Sequence, residues 1–467
     1  MFFFLLYQNA QNDLRSVPVS SWLLFSDRQL QRYFLGLFIL HICLGCVRFW
    51  FPFQILNLQG NEGLISTASA LFAAGQIVGF IILGALIRRV RLRFLLGGLF
   101  LLLLMGVMSI SQSPMVLMTA RIFEGLGYGL FFLGIIALAS RFPNHEGEVL
   151  GGLFGAIFSG LAIGQGLAGL LGQVLSQWTG YSPSITLQLI AGITVLVTIL
   201  ALLISFPSGE KCEKVTPSVW QWRHGHFVVW IKTFITLPSI LFLLLVYALY
   251  DFAHGIYTPN LSILLNQQGI DEVSLGFGYL IGDITWGISQ LFAGRAVDKT
   301  GFTWPLVLSL TFKGVVVFFY PEISFFLILA ILLFLAGLSE GFLEPARNKA
   351  AISLETSQNY THSHTHIHFG FSTGGGFTLG AHQHDHAHEL HSDSFVAMLQ
   401  SIGILTFGLG SILGSLLLFQ GYPLQAVTVI GGFCLLLASG ASVLFSVSKR
   451  KSSSSQNLDS EREERIS

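Results

Sequence analysis

Gly294-Arg295-Ala296-Val297-Asp298-Lys299-Thr300-Gly301 follows one apolar span, about 274–294, and precedes another, about 304–320. The spacing predicts a tight turn between two membrane helices. Glycines let helix ends approach closely, and Asp298 with Lys299 complement the charges of helix termini. A worn copy stands 210 residues earlier, Gly84-Ala85-Leu86-Ile87-Arg88-Arg89-Val90-Arg91-Leu92-Arg93, again between two apolar spans. The same motif at the same place in two halves predicts an internal repeat.

Composition points to a membrane protein independently of the motif. The chain is 52% hydrophobic and only 10% charged, with 42 Phe and a mean hydropathy of +0.69. Soluble domains carry roughly 25% charged residues. Apolar runs of about 20 residues recur, each long enough to cross the hydrocarbon core. The net charge of +0 says nothing about partners. Cys43, Cys46, Cys212 and Cys434 show neither a disulfide framework nor zinc spacing. Met1–Leu6 is too short an apolar run, without a basic start, for a cleaved signal peptide.

Twelve spans are expected. The first six lie at about 33–54, 64–87, 93–111, 114–139, 149–171 and 184–206, the second six at about 236–258, 274–294, 304–320, 324–345, 396–419 and 422–447. A polar segment from Pro207 onward carries Lys211, Lys214, Arg223, His224, His226 and Lys232. With a cytosolic N-terminus, the inside segments hold Arg15, Arg28, Arg32, Arg88, Arg89, Arg91, Arg93, Arg141, the polar segment, Arg295, Lys299, Arg347, Lys349 and the basic tail. The outside loops then hold Glu62, Asp271, Glu272 and Glu322 but neither Lys nor Arg. Basic residues favour the cytosolic side, which fixes an even span count and the orientation. The expected fold is an all-α membrane protein of twelve transmembrane helices in two six-helix bundles, both termini cytosolic. Its parts are an N-terminal cytosolic segment (1–32), a first bundle (33–206), a cytosolic linker (207–235), a second bundle (236–447) with a His-rich cytosolic loop (356–395), and a cytosolic tail (448–467).

G-x-x-x-D-(R/K)-x-G after a second span resembles the loop signature of the major facilitator superfamily. Arg121-Ile122-Phe123-Glu124-Gly125-Leu126-Gly127 resembles its fourth-helix pattern R-x-x-x-G-x-G, and Gly151, Gly160, Gly164 and Gly169 fall at the spacing of its antiporter motif, with Gln165 where that motif has Pro and Ala168 replacing its penultimate Gly. Ordinary small-residue helix packing is the simpler reading of most of these glycines. Phe142-Pro143-Asn144, Val149-Leu150-Gly151, Gly180-Tyr181 and Phe51-Pro52-Phe53 resemble the vesicular amine and polyamine transporter branch. The resemblance implies the major facilitator fold, alternating access, and a conformational-switch loop at Gly84, Arg89, Gly294, Asp298, Lys299 and Gly301. One departure is Arg48, where amine carriers of this kind have an acid in the first helix. Another is Arg88, where the family has Asp.

An ionisable group in hydrocarbon is costly, so it is expected to face the cavity and hold a partner. The candidates for the substrate and proton pathway are Arg48, Arg121, Glu124, Asp251, Asp283, Glu340 and Glu344. Arg48 and Asp251 lie in repeat-equivalent helices. Either they pair across the outer mouth or each pairs within its own bundle. Arg121 and Glu124 stand three apart on one helix face and can pair, and Glu124 is the first choice for a proton carrier. Lys313 is expected to be a structural partner for a neighbouring acid. Glu340, Glu344 and Arg347 are expected near the cytosolic end of their helix, as an inner gate. His41 and His254 could relay protons, although isolated histidines are more often simply hydrogen-bonded.

The loop between the tenth and eleventh spans contains His362, His364, His366, His368, His382, His384, His386, His388 and His391. Its two arms alternate His with other residues around the Gly-rich stretch 369–380. In an extended chain, residues two apart share a face, and neutral imidazole suits zinc, copper or nickel. Low complexity without a selected role is the alternative. No cofactor is required by the fold, and zinc is the candidate metal for this loop.

Asn260-Leu261-Ser262 is a sequon too close to the membrane to favour glycosylation, and Ser452–Ser455 could be phosphorylated. No nucleotide loop or Ser/His/Asp arrangement appears in a soluble segment, so an enzyme is not expected. The expectation is a monomeric secondary active transporter, in a plasma or vesicle membrane, that carries a small organic solute, a cationic amine, by proton-coupled alternating access and binds no nucleic acid. Two alternatives stand: a carrier of organic anions or zwitterions, favoured by Arg48, and a non-transporting membrane sensor with a metal-responsive His loop.

Overall fold

Hydrocarbon offers no water to backbone polar groups, and a helix satisfies them within one segment. The computed structural model describes residues 27–83, 86–87, 89–139, 146–179, 183–205, 238–356, 361–371, 377–387 and 392–466. In the first half the helices are α1 (Arg28–Asn57), α2 (Glu62–Val78), α3 (Val90–Ile110), α4 (Pro114–Ala139), α5 (Glu146–Thr179) and α6 (Pro183–Ser205). In the second they are α7 (Pro238–Tyr257), the short α8 (Leu261–Gln267), α9 (Glu272–Thr300), α10 (Thr303–Phe319), α11 (Phe326–Thr356), α12 (Ser392–Phe419) and α13 (Leu424–Ile466). Among the described residues, nine helical stretches are long and apolar enough to cross a membrane, and Glu62–Val78 and Gln188–Leu202 are shorter apolar helices.

Local chemistry sets the helix ends. Asp27 starts α1 by accepting from the backbone N–H groups of Gln29 and Leu30 at 2.7 and 2.9 Å. Asn61 starts α2 by accepting from Leu64 N–H at 3.0 Å, and Asp271 starts α9 by accepting from Val273 and Ser274 N–H, both at 3.0 Å. Each side chain satisfies donors that the first turn leaves orphaned. Pro259 lacks an N–H and interrupts the seventh span, which passes through a 3-10 turn, Thr258–Asn260, before resuming as α8.

Several boundaries differ from the sequence expectation: α2 ends at Val78, before the expected 87, and α5 and α11 run on to Thr179 and Thr356, past the expected 171 and 345. The Gly294–Gly301 motif is mostly helix: α9 continues to Thr300, and the turn is confined to Gly301, whose φ of +77° suits a residue without Cβ. The propensity of the intervening residues carries the helix through what the glycines alone suggested was a turn. The N-terminal segment 1–32 already contains the start of α1, and the tail 448–467 continues α13 to Ile466. Gly84, the linker 207–235, His388 and His391 lie outside the described residues.

In the first half α1 lies along α5, and α4 packs on α2 and α3. In the second, α7 packs on α12 and α13, α9 on α11, and α10 on α13. Gly164 of the antiporter-like spacing is where α5 meets α1; a Cβ there would lie 2.9 Å from the Cα of Gly45. Lipid supplies no hydrophobic drive for association, so such close backbone approach is a main source of cohesion.

The halves meet where α5 touches α9 and α2 touches α12. At the end carrying connections 58–61, 268–271 and 420–423 the seam is polar. Thr67 and Ser415 hydroxyls lie 2.7 Å apart, Ser415 donates to the Gly63 carbonyl at 2.9 Å, Asn260 donates to Ser66 Oγ at 2.7 Å, and Gln267 donates to Glu62 at 3.3 Å. Deeper in, Phe72 meets Phe407 with ring centroids 6.3 Å apart, and Phe158 meets Trp286 at 4.1 Å. Between α11 and α12 in the chain, strands β1 (Thr361–Phe371) and β2 (Phe377–Ala387) pair antiparallel.

Candidate functional site

Two charged clusters are built inside the helical body, one in each half. In the first half, Arg48 of α1 donates from Nε to Glu124 Oε1 of α4 at 2.7 Å. Arg121, one turn before Glu124 on the same face, donates to its other oxygen. Glu124 is 0% exposed. Two guanidinium groups therefore share one carboxylate, leaving a formal excess of one positive charge. Aromatic faces surround them: the Arg48 guanidinium lies 5.4 Å from the ring centroids of both Phe72 and Tyr128, and that of Arg121 lies 5.0 Å from Phe51 and 5.3 Å from Phe72. Ring quadrupoles attract such cations and partly replace lost hydration.

The second cluster has the opposite sign. Arg347 of α11, 1% exposed, reaches Asp251 of α7 at 3.1 Å and Glu344, one turn earlier on its own helix, at 3.4 Å. Its guanidinium stacks 3.9 Å from the centroid of Tyr247 and 4.6 Å from that of Tyr250. Here two carboxylates share one guanidinium. The close passage of α12 depends on Gly403, where an added Cβ would fall 3.0 Å from Asp251 Cγ. Next to this cluster, Glu340 lies 2.9 Å from Lys313 Nζ and 3.1 Å from His254 Nε2, and accepts from the Tyr250 hydroxyl. His254 also meets the Tyr257 hydroxyl at 3.2 Å.

Arg48 and Asp251 thus pair within their own halves, and the reading that joins them across the mouth is corrected. The seam leaves Glu124 and Arg347 as nearer counter-ions. His41 is fully buried, its Nδ1 2.7 Å from the Leu37 carbonyl and its ring edge-on to Tyr128.

Asp283 of α9 stands apart. Among the described residues it makes no ion pair within 4 Å, although the charges of Lys313, Arg48 and Glu340 reach it. Among the buried donors that meet no acceptor within the described residues are the Tyr128 hydroxyl and the Trp286 indole N–H. Buried polar groups are normally satisfied, so such donors are suited to hold a water or a polar solute.

Of the switch-loop residues, Arg89 is exposed at the start of α3 and Gly301 forms the turn after α9, while Gly294, Asp298 and Lys299 lie within α9. Lys349 of α11 donates to the Val297 carbonyl at 3.2 Å, tying that end of α9 to α11. His362, His364, His366 and His368 fall in β1, and His382, His384 and His386 in β2. Sequence reasoning missed the aromatic lining. The signal for part of it was present: Tyr247, Tyr250, His254 and Tyr257 recur every three or four residues and so share a helix face.

Comparison with known proteins follows this geometry. The sequence model described as Major Facilitator Superfamily matches residues 33–354. A nitrite extrusion protein of Bacillus subtilis (strain 168) is 24% identical over 282 residues, covering 58% of this chain and 66% of that protein, just under two thirds of its length. A crystal structure of a variant of the nucleoside transporter NupG superposes with a TM-score of 0.61 at 12% identity, covering 90% of this chain and 100% of that one. That likeness concerns the fold.

Proposed function

The chain belongs to the major facilitator superfamily, a family of transporters and not of enzymes, and from that premise we propose that it is a proton-coupled secondary transporter of a small solute carrying an anionic group, an organic anion or a zwitterion. One observation carries this reading: Arg48 and Arg121 converge on a single buried carboxylate, Glu124, leaving an unneutralised positive charge among aromatic rings, with Arg121 buried and Arg48 part-exposed. An anionic group on the solute offsets that charge. Guanidinium suits it because its planar fork matches carboxylate geometry. The name of the Bacillus subtilis relative, a nitrite carrier, is in keeping with anion transport.

Asp283 supplies the other half of the mechanism. A carboxylate between two charged clusters, without an ion-pair partner, is suited to take up and release a proton as its surroundings change. On the same ground it favours a second reading, a cationic amine held against Asp283. A zwitterion would use both, its carboxylate toward Arg48 and its ammonium toward Asp283.

In this proposal the chain crosses the membrane twelve times with both termini cytosolic, and the Thr67–Ser415 end faces outward. The polar seam then closes the outer mouth, and the two halves rock about the site to open it. Uptake into proteoliposomes under an imposed pH gradient, screened across organic acids, amino acids and amines, tests the proposal. Flux confined to amines without an anionic group selects the second reading, and absence of any gradient-driven flux refutes both.

A further inference from the structure

The hairpin between α11 and α12 has a register that its composition alone does not disclose. β1 and β2 pair so that His362 stands opposite His386, His364 opposite His384, and His366 opposite His382. Residues two apart in a strand share a face, so these histidines form three successive rungs on one face of the hairpin. His368 is different: its partner across the strands is Gly380.

Directly opposite residues in an antiparallel pair have Cβ atoms about 4.5–5.5 Å apart, and successive rungs on one face are about 6.6–6.8 Å apart along the strand. Two neighbouring rungs therefore place four histidine positions next to one another on one face, the ligand number of a tetrahedral zinc site. The intervening positions are Ser363 opposite Asp385 and Thr365 opposite Gln383, on the other face. A slip of one residue would set each histidine against a non-histidine, so it is the register that brings the histidines of the two arms opposite one another. From this register we infer that the hairpin is a binding site for a borderline transition-metal ion, zinc or copper, centred on His364 and His384 with one adjoining rung. Neutral imidazole is the ligand, so binding strengthens as pH rises through the histidine range.

In the chain the site falls between α11 and α12. β1 begins at 361, shortly after α11 ends at Thr356, and β2 ends at 387, shortly before α12 begins at Ser392. Loss of its ligands therefore leaves the helical body intact.

Zinc titration of the untagged full-length protein in detergent, against a chromophoric chelator, tests the site. The wild type competes with the chelator, and His364→Ala with His384→Ala weakens binding by at least about tenfold, while His368→Ala, opposite a glycine, changes it by less than about twofold. Thermal unfolding of all three proteins without metal coincides. Failure of the wild type to bind zinc, or equal weakening by His368→Ala and the double variant, overturns the inference.

Discussion

Arg48 of α1 binds Glu124 of α4 at 2.7 Å and so closes the first half on itself, without reaching Asp251 in the second. Each half carries its own counter-ions. Among the described residues no buried ion pair joins the halves, so none has to break if they rock. Coulombic attraction is strong in low dielectric, and a pair spanning the seam would hold one state shut. Keeping the pairs inside the halves lets the seam depend on weaker contacts such as Thr67 with Ser415.

Replacing Glu124 should be more damaging than replacing either arginine. Glu124→Gln leaves the buried Arg121 and the part-exposed Arg48 without their counter-ion, and breaking a buried pair from one side costs about 3–5 kcal/mol. Arg48→Gln leaves Glu124 with Arg121. Thermal unfolding in detergent should place Glu124→Gln well below Arg48→Gln. Equal melting temperatures would show that the three groups do not act as one cluster.

The second cluster makes the complementary case. Arg347→Gln strands Asp251 and Glu344 together. Adding Asp251→Asn and Glu344→Gln removes the uncompensated charges, so the triple variant should melt higher than Arg347→Gln alone. Buried charge networks replaced as a whole are often near neutral, whereas partial removal is costly. A triple variant less stable than the single would contradict the pairing.

The seam supplies a functional test. Cysteines at Thr67 and Ser415, whose hydroxyl oxygens lie 2.7 Å apart, should form a disulfide under mild oxidation. Transport should stop when the bond forms and return on reduction, because alternating access requires the two halves to separate there. Undiminished transport by the cross-linked protein would show that this end does not open.

Much of the fold was legible in the sequence because bilayer thickness imposes a length and a polarity that composition displays directly. The expected fourth span, about 114–139, is matched by α4, Pro114–Ala139. The motif around Gly294 was read too literally, since only Gly301 needs the conformation of a turn and the rest propagates α9. The charged residues could be chosen from sequence because charges in apolar spans stand out. Their partners could not. Arg48 and Glu124 are 76 residues apart, and helix rotation, which decides whether Arg48 meets Glu124 or Asp251, is set by small-residue packing such as Gly45 on Gly164. The rings of Phe72, Tyr128 and Trp286 were missed because aromatic residues are common throughout this chain.

Outside the membrane, Asp271 gives a pH-dependent signature. The Ser274 hydroxyl, then backbone N–H groups of Ser274 and Val273, hold its carboxyl below the usual carboxylate range. A depressed folded-state pKa contributes stability above the unfolded value of about 3.9 and loses it as pH falls through the folded value. Asp271→Ala should therefore melt lower than wild type at neutral pH by the equivalent of about 1 kcal/mol, typical of a lost helix cap. The gap should narrow in acid below the model-peptide range. A gap that is the same at neutral and strongly acid pH would contradict the cap.

Uptake by Arg48→Lys tests recognition of an anionic group at Arg48 most directly. Lysine keeps the positive charge near Glu124 but removes the planar fork that matches a carboxylate. For the anionic or zwitterionic solute found in the flux screen, kcat/KM in proteoliposomes should fall at least about tenfold, by about 1.4 kcal/mol of recognition, while the melting temperature stays near that of wild type. Unchanged kcat/KM in a stable Arg48→Lys protein would contradict recognition of an anionic group by Arg48.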